Sequence, residues 1–314
     1  MILKNIAIIT GGPGEERAIS LLSAESVTKS LGTKNYNLKN YDLPEDLKLL
    51  FEDAQNNKID LAIPIIHGAW GEDGLIPSLL ELLKVPYLFS DYLTSALAMD
   101  KAKTKKLLAT ENITMAPGIL LNKNDNSKIE EIKLLGWPLV VKPNNSGSSV
   151  GVSIVTNEEE LAEALAKVFV DRDEVLIEKF IKGRELTVVV TDYQGKAEAL
   201  PVIEIIPKVS TWFDYEAKYA DGGSDEVCPA NIASEEAKAI QALAVKTYQV
   251  LNCRDLARAD FIWDESSKNF IFLEINTVPG LTAASLTPKA LATIGLSLGD
   301  FFVKLINKKL EIKK

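Results

Sequence analysis

The 314-residue sequence contains very little cysteine and histidine, with two Cys and a single His. Two cysteines, Cys228 and Cys253, cannot build a framework of several disulfides, and neither has the spacing of a metal-ligand motif. One histidine, His67, leaves no set of imidazole ligands for a zinc or iron centre. If this protein binds a metal ion, we therefore expect oxygen ligands.

The sequence also has no excess of positive charge and no long hydrophobic run. The 35 Lys and Arg residues face 44 Asp and Glu residues, which gives a net charge of −9 at pH 7. A field of that sign repels a phosphate backbone, so we expect no nucleic-acid partner, and an anionic substrate must meet local cations or a metal. No apolar run approaches the roughly 18 residues of a membrane helix. We therefore expect a soluble cytoplasmic protein with no membrane partner.

The order of strand and helix patterns indicates the fold class. Asn5–Ile9 is a continuous apolar run, which is typical of a strand buried on both faces. The first 90 residues then alternate between helix and strand patterns, which predicts a parallel sheet with ligands at the carboxyl ends of its strands. After a lysine-rich helix at Met99–Glu111 the pattern becomes α+β, with one predicted strand at Ala197–Ile206. The long polar stretch Pro207–Ala230 indicates a functional lid or a disordered segment.

Two strands near the C-terminus give the strongest local indication of a metal site. Side chains alternate along a strand, so Phe272, Glu274 and Asn276 share one face of the second strand. A hairpin sets Asp260 opposite Glu274, and it sets Arg258 opposite Asn276. Opposed carboxylates about 4.5–5.5 Å apart repel each other, so something positive should lie between them. Two carboxylates and an amide oxygen suit Mg²⁺; a solvated hairpin face, or a register one residue off, is the alternative.

Two segments have the features of a nucleotide site. Lys142 stands at a strand end before a small-residue loop that reaches Gly151, and backbone N–H groups in such a loop can approach phosphate oxygens closely. The Gly-Lys-Ser order of a Walker loop is absent, and a Gly/Ser-rich hairpin turn is the alternative. The linker Glu178–Glu185 has polar groups that could bind an adenine edge and a ribose, although charged linkers are common without this role.

Other polar segments point to a substrate site, each with a structural alternative. Glu16 could bind an ammonium group, or could simply complement a helix dipole. His67 lies in a loop at the carboxyl end of a strand, where substrates bind, but a lone histidine can also be a structural hydrogen-bonding group. The segment Asp214–Tyr219 lies in the long polar stretch. A helix expected to start at Pro288, with Thr287 as its cap, could hold a carboxylate at its N-terminus.

Taken together and in this order, these segments resemble the D-alanine–D-alanine ligases of the ATP-grasp superfamily. The resemblance runs from about Gly11 to Pro288. Its most specific pieces are HGxxGEDG at 67–74, MDK at 99–101, GSSVGV at 147–152, GRELTV at 183–188, DYEAKY at 214–219 and EINTxPGLTxxS at 274–285. Six matches that arrive together are far stronger than any one of them.

The resemblance implies an α/β protein with the ATP-grasp fold. An N-terminal doubly wound parallel-sheet domain, residues 1–98, would hold the first D-alanine. Two α+β domains, residues 99–183 and 184–314, would clasp ATP between them. The C-terminal domain would carry the magnesium site and the lid loop at 207–230. The family is typically dimeric, so a homodimer is expected.

The resemblance also implies the reaction. Two D-alanine molecules would be ligated to D-alanyl-D-alanine through an acyl phosphate, with release of ADP and phosphate, for peptidoglycan precursor synthesis. ATP and two Mg²⁺ ions would be needed, and Mn²⁺ would also suit the site. D-Serine stays open as the second substrate. The alternatives are an ATP-grasp carboxylate–amine ligase for another amino acid, or a nucleotide-binding regulator without turnover.

Residue by residue, the resemblance assigns roles on the nucleotide side. The contacts to the phosphates of ATP would come from Lys101, Lys142, Lys218, Ser148, Ser149 and Val150. Adenine and ribose would be held by Glu178, Lys179, the backbone at Ile181, and Glu185. The metal ligands would be Asp260, Glu274 and Asn276.

The resemblance assigns the substrate side in the same way. Glu16 would bind the ammonium group of the first D-alanine and would be linked through Ser148 to Tyr219. His67 would lie beside the carboxylate of that substrate. The tetrahedral oxyanion would be stabilised by Arg258 and the amide of Gly280. The carboxylate of the second substrate would be received by Ser285 and Leu286.

Overall fold

A computed structural model describes residues 3–32, 34–125, 127–147, 151–208 and 222–311. The N-terminal part alternates strands and helices, as the sequence predicts. Its elements are β1 (Lys4–Gly11), α1 (Arg17–Leu31), β2 (Tyr36–Leu43), α2 (Leu47–Gln55), β3 (Leu61–Pro64), α3 (Leu75–Leu82) and α4 (Tyr92–Met99). The strands form a parallel sheet in the order β2-β1-β3.

Helices cover both faces of this parallel sheet. Ile6 and Ile8 of β1 pack with Val27 of α1 on one side, and the intervening Ala7 packs with Leu50 of α2 on the other. This alternation explains why β1 is apolar at consecutive positions. The carboxyl ends of β1 and β3 lead into the loops that carry Glu16 and His67, which brings those two loops to one edge of the sheet.

The lysine-rich helix predicted at Met99–Glu111 is shorter than expected and follows a helix that the sequence reading missed. Helix α5 (Lys101–Ala109) begins after Asp100, whose backbone is extended and whose carboxylate accepts the backbone N–H of Lys103. Asp100 therefore ends α4 and caps a new helix, as short acidic side chains often do. Lys101 becomes the first residue of α5.

The central part is an antiparallel sheet with helices on one face. Its elements are β4 (Gly118–Asn122), α6 (Ile129–Leu134), β5 (Leu139–Pro143), β6 (Ser153–Val155), α7 (Glu158–Val168) and β7 (Glu174–Lys179), with strand order β4-β7-β5-β6. Leu139 and Val141 of β5 pack against the helices. The alternate residues Val140 and Lys142 face away from them, toward the next sheet.

The C-terminal part holds the second antiparallel sheet. Its elements are β8 (Arg184–Thr191), β9 (Glu198–Ala199), β10 (Ile203–Pro207), β11 (Ser224–Val227), α8 (Ser234–Val250), β12 (Leu256–Asp264), β13 (Asn269–Asn276), α9 (Leu286–Thr293) and α10 (Leu298–Glu311). The strand order is β11-β10-β8-β12-β13, and β9 pairs with β8. The three sheets are formed by strands within residues 4–64, 118–179 and 184–276.

The structure corrects the prediction of one strand before α8 and adds a strand to the predicted lid segment, whose residues 209–221 lie outside the described residues. The single strand expected at Ala197–Ile206 is divided into β9 and β10, and Pro201 between them has no N–H to donate to a ladder. The polar stretch Pro207–Ala230 contains β11, an edge strand whose residues are alternately half-buried and exposed. That pattern is too polar to be distinguished from a loop by composition alone.

The closing helices pack back onto the N-terminal part. Phe301 and Phe302 of α10 share a core with Val27 of α1. Helix α9, which precedes α10, begins at Leu286, and Thr287 is fully buried. The prediction that this helix starts at Pro288 with Thr287 as its cap is therefore wrong.

In the part of the chain that the structure describes, no single helix has the length and apolarity needed to cross a membrane. The pair α9 and α10 meets those criteria only when joined across a 91° bend.

Candidate active site

The β12–β13 hairpin has the predicted register from Arg258 to Asp260, and from Phe261 to the turn it is shifted by one residue. Asp260 lies opposite Glu274, and Arg258 lies opposite Asn276. Asp260 is 5% exposed, and the amide of Asn276 donates a hydrogen bond to its Oδ2 at 3.1 Å. Two carboxylates and an amide are therefore brought together on one face of the sheet, as the period-two argument requires.

A β-bulge changes the face of Phe272. The pairing shifts after Asp260, so that Phe261 lies opposite Phe272 and Leu273 is the extra residue. Phe272 is fully buried against the ring of Phe261, with 5.8 Å between ring centroids, whereas Leu273 and Glu274 both face the neighbouring cleft. The prediction that Phe272 shares a face with Glu274 is wrong, because a bulge breaks the alternation.

Positive charge lies beside both carboxylates, as expected from their repulsion. The guanidinium of Arg258 makes a two-pronged contact with Asp260, at 2.9 Å from Nε and 2.8 Å from Nη2. The ammonium of Lys101 lies 3.4 Å from Oε2 of Glu274. Burial works to lower the pKa of Arg258, but the Asp260 carboxylate outweighs it and raises that pKa above its usual range. These two cations already supply much of the compensation that the sequence reading assigned to a divalent ion.

The donor set nevertheless fits a divalent cation bound partly by substrate. Among the described residues no three His, Cys, Asp or Glu side chains form a metal cage. The hairpin supplies two carboxylates and one amide oxygen, and Mg²⁺ commonly completes such a set with waters and phosphate oxygens. The residues present therefore suit a metal that is bound together with a phosphate-bearing molecule.

The space between the central and C-terminal sheets is a cavity of about 150 Å³, called here the inter-sheet cleft. Most of the residues predicted for nucleotide binding line it, namely Lys101, Lys142, Glu178, Lys179, Ile181 and Glu185, together with Asp260 and Glu274. Apolar side chains that the sequence reading did not assign complete the walls, namely Val140, Ile154, Phe180, Ile262 and Leu273. An apolar slot that is also lined by lysines suits a flat base joined to phosphates.

A buried asparagine, Asn144, holds the start of α5 against the loop after β5, beside the inter-sheet cleft. Asn144 is fully buried; its Oδ1 accepts the backbone N–H of Ala102 at 2.9 Å, and its Nδ2 donates to Asp100 at 3.0 Å. It thereby ties the start of α5 to the loop after β5. Lys101 in turn donates to the backbone carbonyl of Ser146 in that loop.

A second cavity of about 480 Å³ lies among the loops of the N-terminal and C-terminal parts, and is called the loop pocket. The residues predicted for the substrate side that line it are Glu16, His67, Arg258, Gly280, Ser285 and Leu286. Asn276 lines it as well, so the hairpin faces both cavities. The hydroxyl of Ser285 accepts the N–H of Thr282 at 3.1 Å and lies 2.8 Å from the hydroxyl of Thr282. It does not cap α9.

Two glycines allow the Glu16 carboxylate to lie close to the backbone of other loops. A Cβ atom at Gly147 would come within 2.9 Å of Oε2 of Glu16, and one at Gly68 within 2.3 Å of the same atom. Gly68 also has φ +68°, a conformation that favours glycine. Glu16 is thus brought to the start of the loop that contains Ser148.

His67 is neutral and connects two parts of the chain. Its Nδ1–H donates to the carbonyl of Val278 at 2.8 Å, which leaves Nε2 to accept from the hydroxyl of Ser23 at 3.0 Å. Burial lowers the pKa of His67 to about 4, and Arg258 contributes to the lowering. His67 therefore has the structural hydrogen-bonding role that was stated as the alternative, and it also lines the loop pocket.

Glu72 is a buried carboxyl group that the sequence reading did not single out. Its oxygens accept the backbone N–H groups of Gly68 at 2.9 Å and of Val278 at 3.1 Å. Burial raises the pKa of Glu72 to about 7, and the neighbouring Glu16 adds to the rise. A pKa near neutrality in a cavity is a feature of functional sites. The only signal in the sequence is its place in the GEDG turn.

The structure describes most, but not all, of the predicted site residues. Five of them lie outside the described residues: Ser148, Ser149, Val150, Lys218 and Tyr219. The remainder are divided between the inter-sheet cleft and the loop pocket. A small cavity between the two shares Lys101 and Glu274 with the cleft, and Glu72 and Asn276 with the pocket.

Comparison with known proteins agrees with this geometry. Residues 107–307 match the family model for the D-ala D-ala ligase C-terminus. A D-alanine–D-alanine ligase of Pelotomaculum thermopropionicum is 41% identical, over 99% of this chain and 98% of that protein.

Solved structures extend the similarity to three dimensions. The D-alanine–D-alanine ligase of Bacillus anthracis complexed with ATP is 33% identical, with a TM-score of 0.86, over 99% of this chain and 98% of that one. The VanG D-Ala:D-Ser ligase of Enterococcus faecalis is 31% identical, with a TM-score of 0.84, over 98% and 99%. The predicted ATP-grasp fold is thereby confirmed.

Proposed function

The chain belongs to the D-alanine–D-alanine ligase family of ATP-dependent ligases, and from that premise we propose that it joins two D-alanine molecules to D-alanyl-D-alanine. ATP would supply the energy, and ADP and phosphate would be released. The product would serve peptidoglycan precursor synthesis in the cytoplasm. One observation carries the proposal: the inter-sheet cleft and the loop pocket meet at the β12–β13 hairpin, so a nucleotide in one cavity faces an amino acid in the other.

The chemistry requires activation of a poor acyl donor. A carboxylate does not react with an amine, so transfer of the γ-phosphoryl group from ATP would first convert the first D-alanine to an acyl phosphate. The amine of the second D-alanine would then attack the acyl carbon, and inorganic phosphate would leave. Phosphoryl transfer is catalysed mainly by positioning and by neutralising charge.

Residues of the inter-sheet cleft would position the nucleotide. Glu178, Lys179, the Ile181 backbone and Glu185 would hold adenine and ribose, and the ammonium groups of Lys101 and Lys142 would face the phosphates. We assign the same task to Lys218, Ser148, Ser149 and Val150. Asp260, Glu274 and Asn276 would hold two Mg²⁺ or Mn²⁺ ions, which neutralise charge on the phosphates when bound.

Residues of the loop pocket would position the amino acids. Glu16 would bind the ammonium of the first D-alanine, with Ser148 and Tyr219 completing that network, and His67 would lie by its carboxylate. Arg258 and the Gly280 amide would stabilise the oxyanion that forms when the amine attacks. Ser285 and Leu286 would receive the carboxylate of the second substrate. Closure of the lid loop at 207–230 would keep water from the acyl phosphate.

A phosphate-release assay with Mg²⁺, ATP and single amino acids tests the proposal. D-Alanine alone should give phosphate and, by mass spectrometry, the dipeptide. Release only with another amino acid would identify a different carboxylate–amine ligase, and no release with any would indicate a regulator. A mixture of D-alanine and D-serine tests the acceptor, since the similarity to a D-Ala:D-Ser ligase gives that alternative a concrete basis.

The organisation of the chain follows from the same family membership. We propose three domains, at residues 1–98, 99–183 and 184–314, and a homodimer in solution. Light scattering on the purified protein measures the mass directly, and a monomer at assay concentration would reject the dimer.

A further inference from the structure

One carboxylate and two lysines form a buried cluster at the wall of the inter-sheet cleft. Glu178 of β7 is 3% exposed. Its Oε1 is paired with the ammonium of Lys105 on α5, and its Oε2 with that of Lys142 on β5 at 2.5 Å. The two lysine side chains are each 9% exposed. We call these three residues the Glu178 cluster.

The two lysines of the Glu178 cluster lie at different depths. Lys142 and Glu178 line the inter-sheet cleft, but Lys105 is not among the described residues that do so. Lys105 reaches Glu178 from helix α5, four residues after Lys101. A ligand in the cleft therefore meets Lys142 directly, while Lys105 stands behind the carboxylate.

The balance of charge keeps Glu178 ionised. Burial works to raise its pKa, but Lys105 and Lys142 together outweigh that effect and lower the pKa overall. Burial also lowers the pKa of Lys105, to about 8, against the opposing effect of Glu178. Two cations thus share one anion, Lys142 on the side of the cleft and Lys105 behind the carboxylate. Removing the partner of a buried charge is strongly destabilising, because the charge is left uncompensated.

The pairing creates a competition when a phosphate-bearing ligand enters. Under the function proposed above, Lys142 contacts the phosphates of ATP, yet in the described structure its ammonium is engaged by Glu178. We propose that Lys105 is a positioning residue that keeps Glu178 paired while Lys142 turns to the phosphates. Without Lys105, binding of ATP would require either an uncompensated buried carboxylate or a Lys142 that stays on Glu178. This inference rests on the proposed role of Lys142.

Four variants test this role: Lys105→Met, Glu178→Gln, the double variant, and Lys106→Met as the matched control on the exposed face of α5. The affinity for ADP with Mg²⁺ is measured by calorimetry, and KM is measured for ATP and for D-alanine. Lys105→Met should weaken nucleotide binding on the order of 10- to 100-fold, the range of a charged hydrogen bond. KM for D-alanine should change little, and Lys106→Met should bind as the native protein does.

The double variant separates positioning from general support of the fold. In the Glu178→Gln background no carboxylate needs a partner, so adding Lys105→Met should change the affinity for nucleotide only slightly. A large further loss in that background would overturn the inference, as would unchanged affinity in Lys105→Met. This comparison holds even if Lys105→Met alone does not fold, because it uses only variants that lack the carboxylate.

A fifth variant distinguishes failure of the inference from failure of its premise. Lys142→Met should weaken binding of ADP and raise KM for ATP. If it does neither, the assignment of Lys142 to the phosphates is wrong and the inference falls with it. If Lys142→Met weakens binding but Lys105→Met does not, only the role of Lys105 is rejected.

Discussion

The buried carboxyl of Glu72 should make the protein less stable as the pH rises through the weakly acidic range. In the native state this group has a pKa of about 7, against 4.5 for an ordinary glutamic acid, chiefly because it is buried. Between these two values the native state holds a proton that the unfolded chain has released. Stability therefore falls as pH rises from 4.5 to 7, which is the sign expected for a raised carboxyl pKa.

The magnitude follows from the size of the shift. Each pH unit in this window changes the free energy of unfolding by about 1.4 kcal/mol for one proton. The window spans about 2.5 units, so the contribution of Glu72 should approach 3 kcal/mol, and burial leaves little solvent screening to reduce it. Glu72→Gln removes the titrating group but keeps one acceptor oxygen for the N–H of Gly68 or Val278.

Urea unfolding at pH 5 and at pH 7.5 measures this contribution. The native protein should lose about 2.4 kcal/mol more than Glu72→Gln between the two conditions, because pH 5 to 7.5 covers only part of the window. Glu163→Gln, on the exposed side of α7, is the matched control and should follow the native protein. If native and Glu72→Gln proteins change in parallel with pH, the carboxyl does not hold a proton in the native state, and the reasoning is refuted.

Three other substitutions probe the site. Asp260→Ala should abolish phosphate release while circular dichroism shows an intact fold, because the proposed metal site would lose a ligand; near-normal release would reject that assignment. The native protein should lose up to about 3 kcal/mol of stability as pH falls from 6.5 to 4, because burial lowers the pKa of His67 to about 4 in the native state. His67→Gln should not show this loss, and urea unfolding at both ends of the range measures the difference. Gly147→Ala should raise KM for D-alanine severalfold, because its Cβ would press on the Glu16 carboxylate; an unchanged KM would argue against it.

The parts of the fold that follow a simple period were predictable from the sequence. The opposition of Asp260 and Glu274 was predicted correctly, but in the structure it depends on the bulge, because the register between the bulge and the turn is shifted by one residue. Helix α4 was missed, although the carboxylate of Asp91 accepts the N–H of Thr94 and so marks its start. The bulge at Leu273 has no such signature, because an extra apolar residue in an apolar strand leaves the pattern unchanged.

Buried charge was the hardest part of the site to predict. A lysine-rich helix is usually solvated, so its composition does not show which lysine is buried. The only sign that distinguishes Lys105 is its spacing of four residues from Lys101, which puts both on one face of the helix. The burial of Glu72 depends on the backbone N–H of Val278, more than 200 residues away. Long-range contacts of this kind arise from the assembled fold and leave no local trace.

The bulge in β13 makes the side chain at Leu273 independent of the paired residues on either side of it, which a regular strand would not do. Leu273 has no partner in the ladder, whereas the pairs on either side of it, Asp260 with Glu274 and Phe261 with Phe272, are in register. Its side chain can therefore vary in size and shape without moving the acidic groups or the aromatic core. Under the proposed function, a substitution at Leu273 would alter the fit of the cleft to the base of the nucleotide while the charged residues keep their positions.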